Sequence, residues 1–186
     1  MSHFGKELDF SGNTFLGKLK GDFAGKTVIF LDIDGVLNCK YSKERICGYI
    51  GIEDEKVERL KRIAEYLDAD IVLSSSWKAE WFKEDKDIQG EMGNYLDEKL
   101  NRQGLHIIDR TYDSGWNRGK GINSWIREHG PLKAFVILDD ERFDFFEERL
   151  IKHWVRTAYA RRRGGLQEKH VKEVQKNIEK YLAENL

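Results

Sequence analysis

What the chain has little of narrows it first. Pro131 is its single proline, so no Pro-rich linker divides it. Its two cysteines, Cys39 and Cys47, match no metal-ligand spacing and do not make a disulfide framework. A reducing, cytoplasmic setting is therefore expected. An excess of one charge is missing too. Basic residues number 32 and acidic residues 33, so no global field draws the chain to a polyanion. No apolar run approaches the roughly 20 residues that cross a bilayer, and the first residues carry no signal-peptide h-region, so no membrane partner is expected. The five histidines are scattered without ligand spacing. No Gly-x-x-x-x-Gly-Lys-(Ser/Thr) occurs, so no P-loop kinase site is expected.

What is present is a set of apolar runs that end in reactive side chains. The 186 residues allow one domain with a proper core, expected over 27–186 behind an N-terminal arm, 1–26. The run Thr27-Val28-Ile29-Phe30-Leu31 reads as a strand buried on both faces of a parallel sheet. It ends in Asp32 and Asp34, followed by Gly35. Two acids one residue apart, where a buried strand meets solvent, repel each other unless a cation sits between them. This proposes a divalent cation at Asp32 and Asp34, with the oxygen ligands that Mg²⁺ prefers. A plain Asp-Gly turn is the bland alternative.

Further along, residues 53–67 carry Val57, Leu60, Ala64 and Leu67 on one helical face, with acids in the first turn. Ile71-Val72-Leu73 starts a strand that ends in Ser74-Ser75-Ser76-Trp77-Lys78. These hydroxyls suit either a phosphate oxygen or an ordinary helix cap. Residues 91–102 read as a helix and 105–108 as a short strand. Asn117-Arg118-Gly119-Lys120-Gly121 leads into a helix bearing Ile122, Trp125 and Ile126, which Gly130-Pro131 stops. Positive charge at a helix N-terminus is unfavourable for the helix, so Arg118 and Lys120 hint at an anionic partner. The strand 134–138 ends in Asp139 and Asp140, with Asp144 beyond. Residues 154–157 suggest a last strand, Arg161-Arg162-Arg163-Gly164-Gly165 a loop, and 168–182 a closing amphipathic helix.

The string Leu31-Asp32-Ile33-Asp34-Gly35-Val36-Leu37 resembles the first motif of haloacid dehalogenase (HAD) superfamily phosphatases, and three later segments fit that family in order. Ser-Ser-Ser-Trp-Lys, Ile-Leu-Asp-Asp, the late Gly-Gly-Leu and the short spacers look like the compact group in bacterial and phage RNA-repair proteins. The resemblance implies an α/β fold, a three-layer doubly wound (Rossmann-like) and mostly parallel sheet with helices on both faces and a minimal or absent cap. It implies a Mg²⁺-dependent phosphomonoester hydrolase in which Asp32 attacks phosphorus and Asp34 serves as acid and base. Metal ligands would be Asp32, the backbone carbonyl of Asp34 and Asp140, with Asp139 and Asp144 ligating or supporting. Ser74 would hold the phosphate, or Ser75 if the strand runs one residue longer. Lys120 is the first choice for the third-motif cation and Arg118 the second. An open site would suit phosphorylated nucleic-acid ends. A small-metabolite or nucleotide phosphatase, and an idle phosphate-binding or receiver-like module, are the alternatives.

Overall fold

The computed structural model describes residues 23–113, 117–142 and 148–184. Most of the N-terminal arm and Asp144 lie outside them. Five strands form one parallel sheet: β1 (Thr27–Leu31), β4 (Ala69–Leu73), β5 (Ile107–Arg110), β6 (Ala134–Asp139) and β7 (Trp154–Arg156). Their order is β5-β4-β1-β6-β7, with β1 at the centre. Two further strands, β2 (Arg45–Ile46) and β3 (Tyr49–Ile50), pair antiparallel as a small hairpin after β1. Its turn, Cys47-Gly48, has positive φ at both residues, as a tight hairpin turn of matching twist requires.

Side chains alternate between the two sheet faces. Ile29, Leu31, Ile71, Leu73, Val136 and Leu138 join one core with helices α1 (Asp54–Leu67), α2 (Glu91–Asn101) and α5 (Glu168–Glu184). Val28, Phe30, Val72 and Ile137 face the other core with α3 (Arg118–His129) and α4 (Glu148–Ile151). There Trp125 packs edge-on to Phe30 at 5.5 Å and is tilted against Phe23 at 5.1 Å. The result is a three-layer, doubly wound α/β sandwich. Its helices end where the sequence suggests. Asp68 adopts left-handed backbone (φ 47°) to close α1, and Gly130 donates its N–H to Ile126 to close α3.

The chain winds from β1 outward to β4 and β5, then returns to β6 on the other side of β1. The helices after β1 and β6 therefore leave on opposite faces, and a crevice opens between the carboxyl ends of those strands. The backbone ladder carries the next residues into that crevice: Asp32 N–H donates to Leu138 O at 3.0 Å, Ser74 N–H to Leu31 O at 2.8 Å and Thr157 N–H to Asp139 O at 3.1 Å. Among the described residues no large insertion covers it. Only the β2–β3 hairpin lies between β1 and α1, and among the described residues no helix is long and apolar enough to cross a membrane.

Candidate active site

Three carboxylates meet at this crevice. One oxygen each of Asp32, Asp139 and Asp140 lies within 4.8 Å of the others. Asp32 and Asp139 are almost fully buried, and Asp140 is half-buried. Burial raises the Asp32 pKa above the ordinary carboxylate value, and the Arg118 charge opposes that rise. Burial and the neighbouring Asp32 charge push Asp139 up to about 8 and Asp140 up to about 6. Arg118, in the first turn of α3, bridges two of the acids, at 3.0 Å from Asp32 and 2.7 Å from Asp139. One guanidinium offsets one of the three carboxylates, so ionising all of them would leave two negative charges in excess. That excess, and a donor set made only of oxygen, fit a divalent hard cation such as Mg²⁺. The backbone at Gly35 fits as well. Its φ is +77°, and a Cβ there would clash with the Asp140 side chain, so glycine is what allows Asp140 to close on the cluster.

Asp34 stands apart from the three. Its Oδ2 accepts the Trp77 indole N–H at 3.0 Å, and its Oδ1 accepts Asn38 Nδ2–H at 2.8 Å. Asn38 is itself held, because its Oδ1 accepts the Gly35 N–H at 3.0 Å. Trp77 comes from the 3₁₀ turn Ser76–Ala79 that follows β4, and the Ser75 hydroxyl caps that turn by accepting the Trp77 N–H. The same hydroxyl bonds to the Asp32 carboxylate and favours its charged form. Ser74 is buried at the end of β4, and its Oγ has no hydrogen-bond partner among the described residues.

The structure thus brings Asp32, Asp34, Asp139, Asp140, Ser74, Ser75 and Arg118 to one edge. Lys120 is not among the residues lining the cleft. It lies exposed on α3, two residues beyond Arg118. Lys78 is partly buried and paired with Asp113 beside the cleft. Sequence reasoning missed the two residues that hold Asp34. Asn38 directly follows the Leu31–Leu37 string and Trp77 stands in the Ser-Ser-Ser-Trp-Lys string, and neither carries an assigned role there.

The cleft is wide, about 830 Å³, and runs from Asp32, Asp34 and Asp140 across Arg118 to Arg161, Arg163 and Lys169. A parallel sheet in this order, with an Asp-x-Asp-Gly after the central strand and a second acid pair after its neighbour, defines a HAD-type α/β domain. The chain belongs to one such family, described as the HAD domain in Swiss Army Knife RNA repair proteins, whose profile matches residues 28–171. Membership points to phosphatase-type hydrolase chemistry, and the buried aspartate cluster is compatible with it. No curated protein and no solved structure shows significant similarity to the chain.

Proposed function

We propose that the domain is a Mg²⁺-dependent phosphomonoester hydrolase that works through an aspartyl-phosphate on Asp32 and acts on phosphorylated nucleic-acid ends. The observation that carries this reading is the convergence of Asp32, Asp139 and Asp140 beside a separately held Asp34. A cation bound by Asp32, Asp139 and Asp140 would offset the repulsion between these carboxylates and an incoming phosphate. An Asp32 oxygen forms a bond to phosphorus as the ester P–O bond breaks. Asp34 gives the leaving oxygen a proton, then takes one from the water that hydrolyses the acyl phosphate. Ser74 Oγ, which has no partner among the described residues, and the Arg118 guanidinium hold the non-bridging oxygens as their charge rearranges. In this reading Arg118, rather than Lys120, supplies the third-motif cation, since it already pairs with the nucleophile.

The nucleic-acid part rests on two supports. The family is named for RNA-repair proteins, and the cleft is open and lined by arginines from the loop that follows β7. The test is hydrolysis of p-nitrophenyl phosphate with and without EDTA. EDTA should abolish turnover and excess Mg²⁺ should restore it. Full activity in metal-stripped protein contradicts the reading. A screen of mononucleotides, sugar phosphates and 5′- and 3′-phosphorylated oligonucleotides then separates a nucleic-acid end from a small metabolite.

A further inference from the structure

The cleft is charged in two regions. Its acids come from the ends of β1 and β6. Beyond Arg118, its cations come from Arg156, from the connection between β7 and α5 and from the first turn of α5. That connection is firmly built. Lys40 N–H donates to Tyr159 O at 3.0 Å, Gly165 N–H to Ala158 O at 2.9 Å and Leu166 N–H to Val36 O at 2.7 Å. The turn needs its two glycines. A Cβ on Gly164 would strike Ala158 O, and Gly165 has φ +71° with its would-be Cβ against the buried Lys56 side chain. The connection is thereby tied to the segment that follows β1 and carries Asp34.

Three cations on this scaffold, Arg161, Arg163 and Lys169, are exposed and make no ion pair or hydrogen bond among the described residues. Lys169 lies in the first turn of α5, a helix of 17 residues, where positive charge opposes the macrodipole. An anion there would relieve the conflict. Two buried donors in the lining add an independent sign. Thr157 Oγ1 and His170 Nε2 have no partner among the described residues, although the residues are only 5 % and 2 % exposed. His170 Nδ1 accepts the Gln167 N–H at 2.9 Å, which leaves the ring proton on Nε2. Burial, aided by the charges of Lys169 and Arg59, lowers its pKa to about 4, so the ring is a neutral donor at neutral pH. Buried donors left unpaired are costly and call for an acceptor.

We infer that this end of the cleft is a second phosphate subsite, built by Arg161, Arg163, Lys169, Thr157 and His170, that binds the phosphate adjacent to the reacting one in a nucleic-acid strand end. The inference rests on the reading of the Asp32 edge as the reacting centre. It adds that the substrate is recognised by two successive phosphates. A mononucleotide fills one of the two regions and a strand end fills both, so ground-state affinity rises with the second phosphate.

Binding tests this without turnover. In Asp32→Asn protein with Mg²⁺, titration calorimetry compares adenosine 3′,5′-bisphosphate, both adenosine monophosphates, and 5′- and 3′-phosphorylated dinucleotides. The bisphosphate and one dinucleotide should bind at least about 10-fold tighter than the better monophosphate, and added salt should shrink that ratio. Replacing Arg161, Arg163 and Lys169 by Ala should bring the ratio close to 1. Thr157→Val, which keeps the side-chain shape, should lower it several-fold. The inference is overturned if the bisphosphate gains nothing over the monophosphates, or if the triple variant keeps the full ratio with an unchanged melting temperature. A gain confined to the free bisphosphate overturns the strand-end assignment. Absence of p-nitrophenyl phosphate turnover in the wild type would instead count against the hydrolase reading, and the affinity ratio would still decide on the subsite.

Discussion

Asp34 is held by two donors that belong to different parts of the chain. Asn38 is four residues away, whereas Trp77 arrives from the turn after β4. Each donor fixes one carboxylate oxygen, so Asp34 is oriented before any substrate arrives. Trp77→Phe keeps most of the ring and removes the N–H. A hydrogen bond to a charged group is worth about 1.5–3 kcal/mol. The variant should therefore lose about 10-fold or more in kcat on an alkyl phosphate while its melting temperature falls only a few degrees. The loss should be smaller on p-nitrophenyl phosphate, whose leaving group scarcely needs a proton. Equal losses on both esters would place Trp77 outside the acid-base step. Neither donor could be found from sequence. Trp77 follows three serines and carries no assigned role, because indole N–H bonding to an acid 43 residues away has no local signature. The four acids, by contrast, were legible, because each follows an apolar run that could only be a buried strand. The choice between Arg118 and Lys120 was not. The two residues are two apart on one helix, and only the angle at which α3 meets the sheet decides which one faces Asp32.

Among the elements, the end of β1 is the most tightly constrained. It must stop in Asp32, turn at Gly35 and leave room for Asp140 from β6. Gly35→Ala adds a Cβ at φ +77°, which costs about 1–2 kcal/mol from the backbone alone. It also displaces the Asp140 carboxyl. The Mg²⁺ concentration that half-activates the enzyme should rise by about 10-fold or more, alongside a lower melting temperature. An unchanged Mg²⁺ requirement would show that Asp140 is not part of the metal site. Element boundaries in sequence came within a residue or two at α1, α2 and β6, where apolar period and capping agree. The strand β5 was expected at 105–108 and lies at Ile107–Arg110. It pairs on one side only, with a register shift against β4, so its residues are half-buried and carry little of the pattern that marks a central strand.

For the molecule as a whole, the acid cluster links stability to pH and, if it holds a cation, to metal. Asp139 and Asp140 titrate at about 8 and about 6 in the folded chain, above the ordinary carboxylate value of 3.8. A folded-state pKa raised in this way means that folding takes up protons. The stability it contributes is complete below the unfolded value and is lost as pH rises through about 6 and then about 8. In EDTA the melting temperature should therefore fall across that window. Mg²⁺ should flatten the fall, because a bound cation replaces the protons. A melting temperature that climbs over the same window in EDTA would contradict this. The three-layer sheet and its acid-bearing edge were both expected from sequence, because strand ends gather polar groups at one edge of a parallel fold. The shape of the cleft was not, since it depends on how the β7–α5 connection folds back onto the loop after β1.

The central claim is that Asp32 becomes phosphorylated. Asp34→Asn removes the group proposed to activate water, so with an activated ester the intermediate should form and then persist. The variant is mixed with p-nitrophenyl phosphate and Mg²⁺, quenched in acid, digested and examined by mass spectrometry. The account predicts a hydroxylamine-labile phosphoryl group on the peptide containing Asp32, absent when Asp32 is also changed to Asn. Turnover of the ester with Asp32 unmodified, or with the phosphoryl group on another residue, would contradict it.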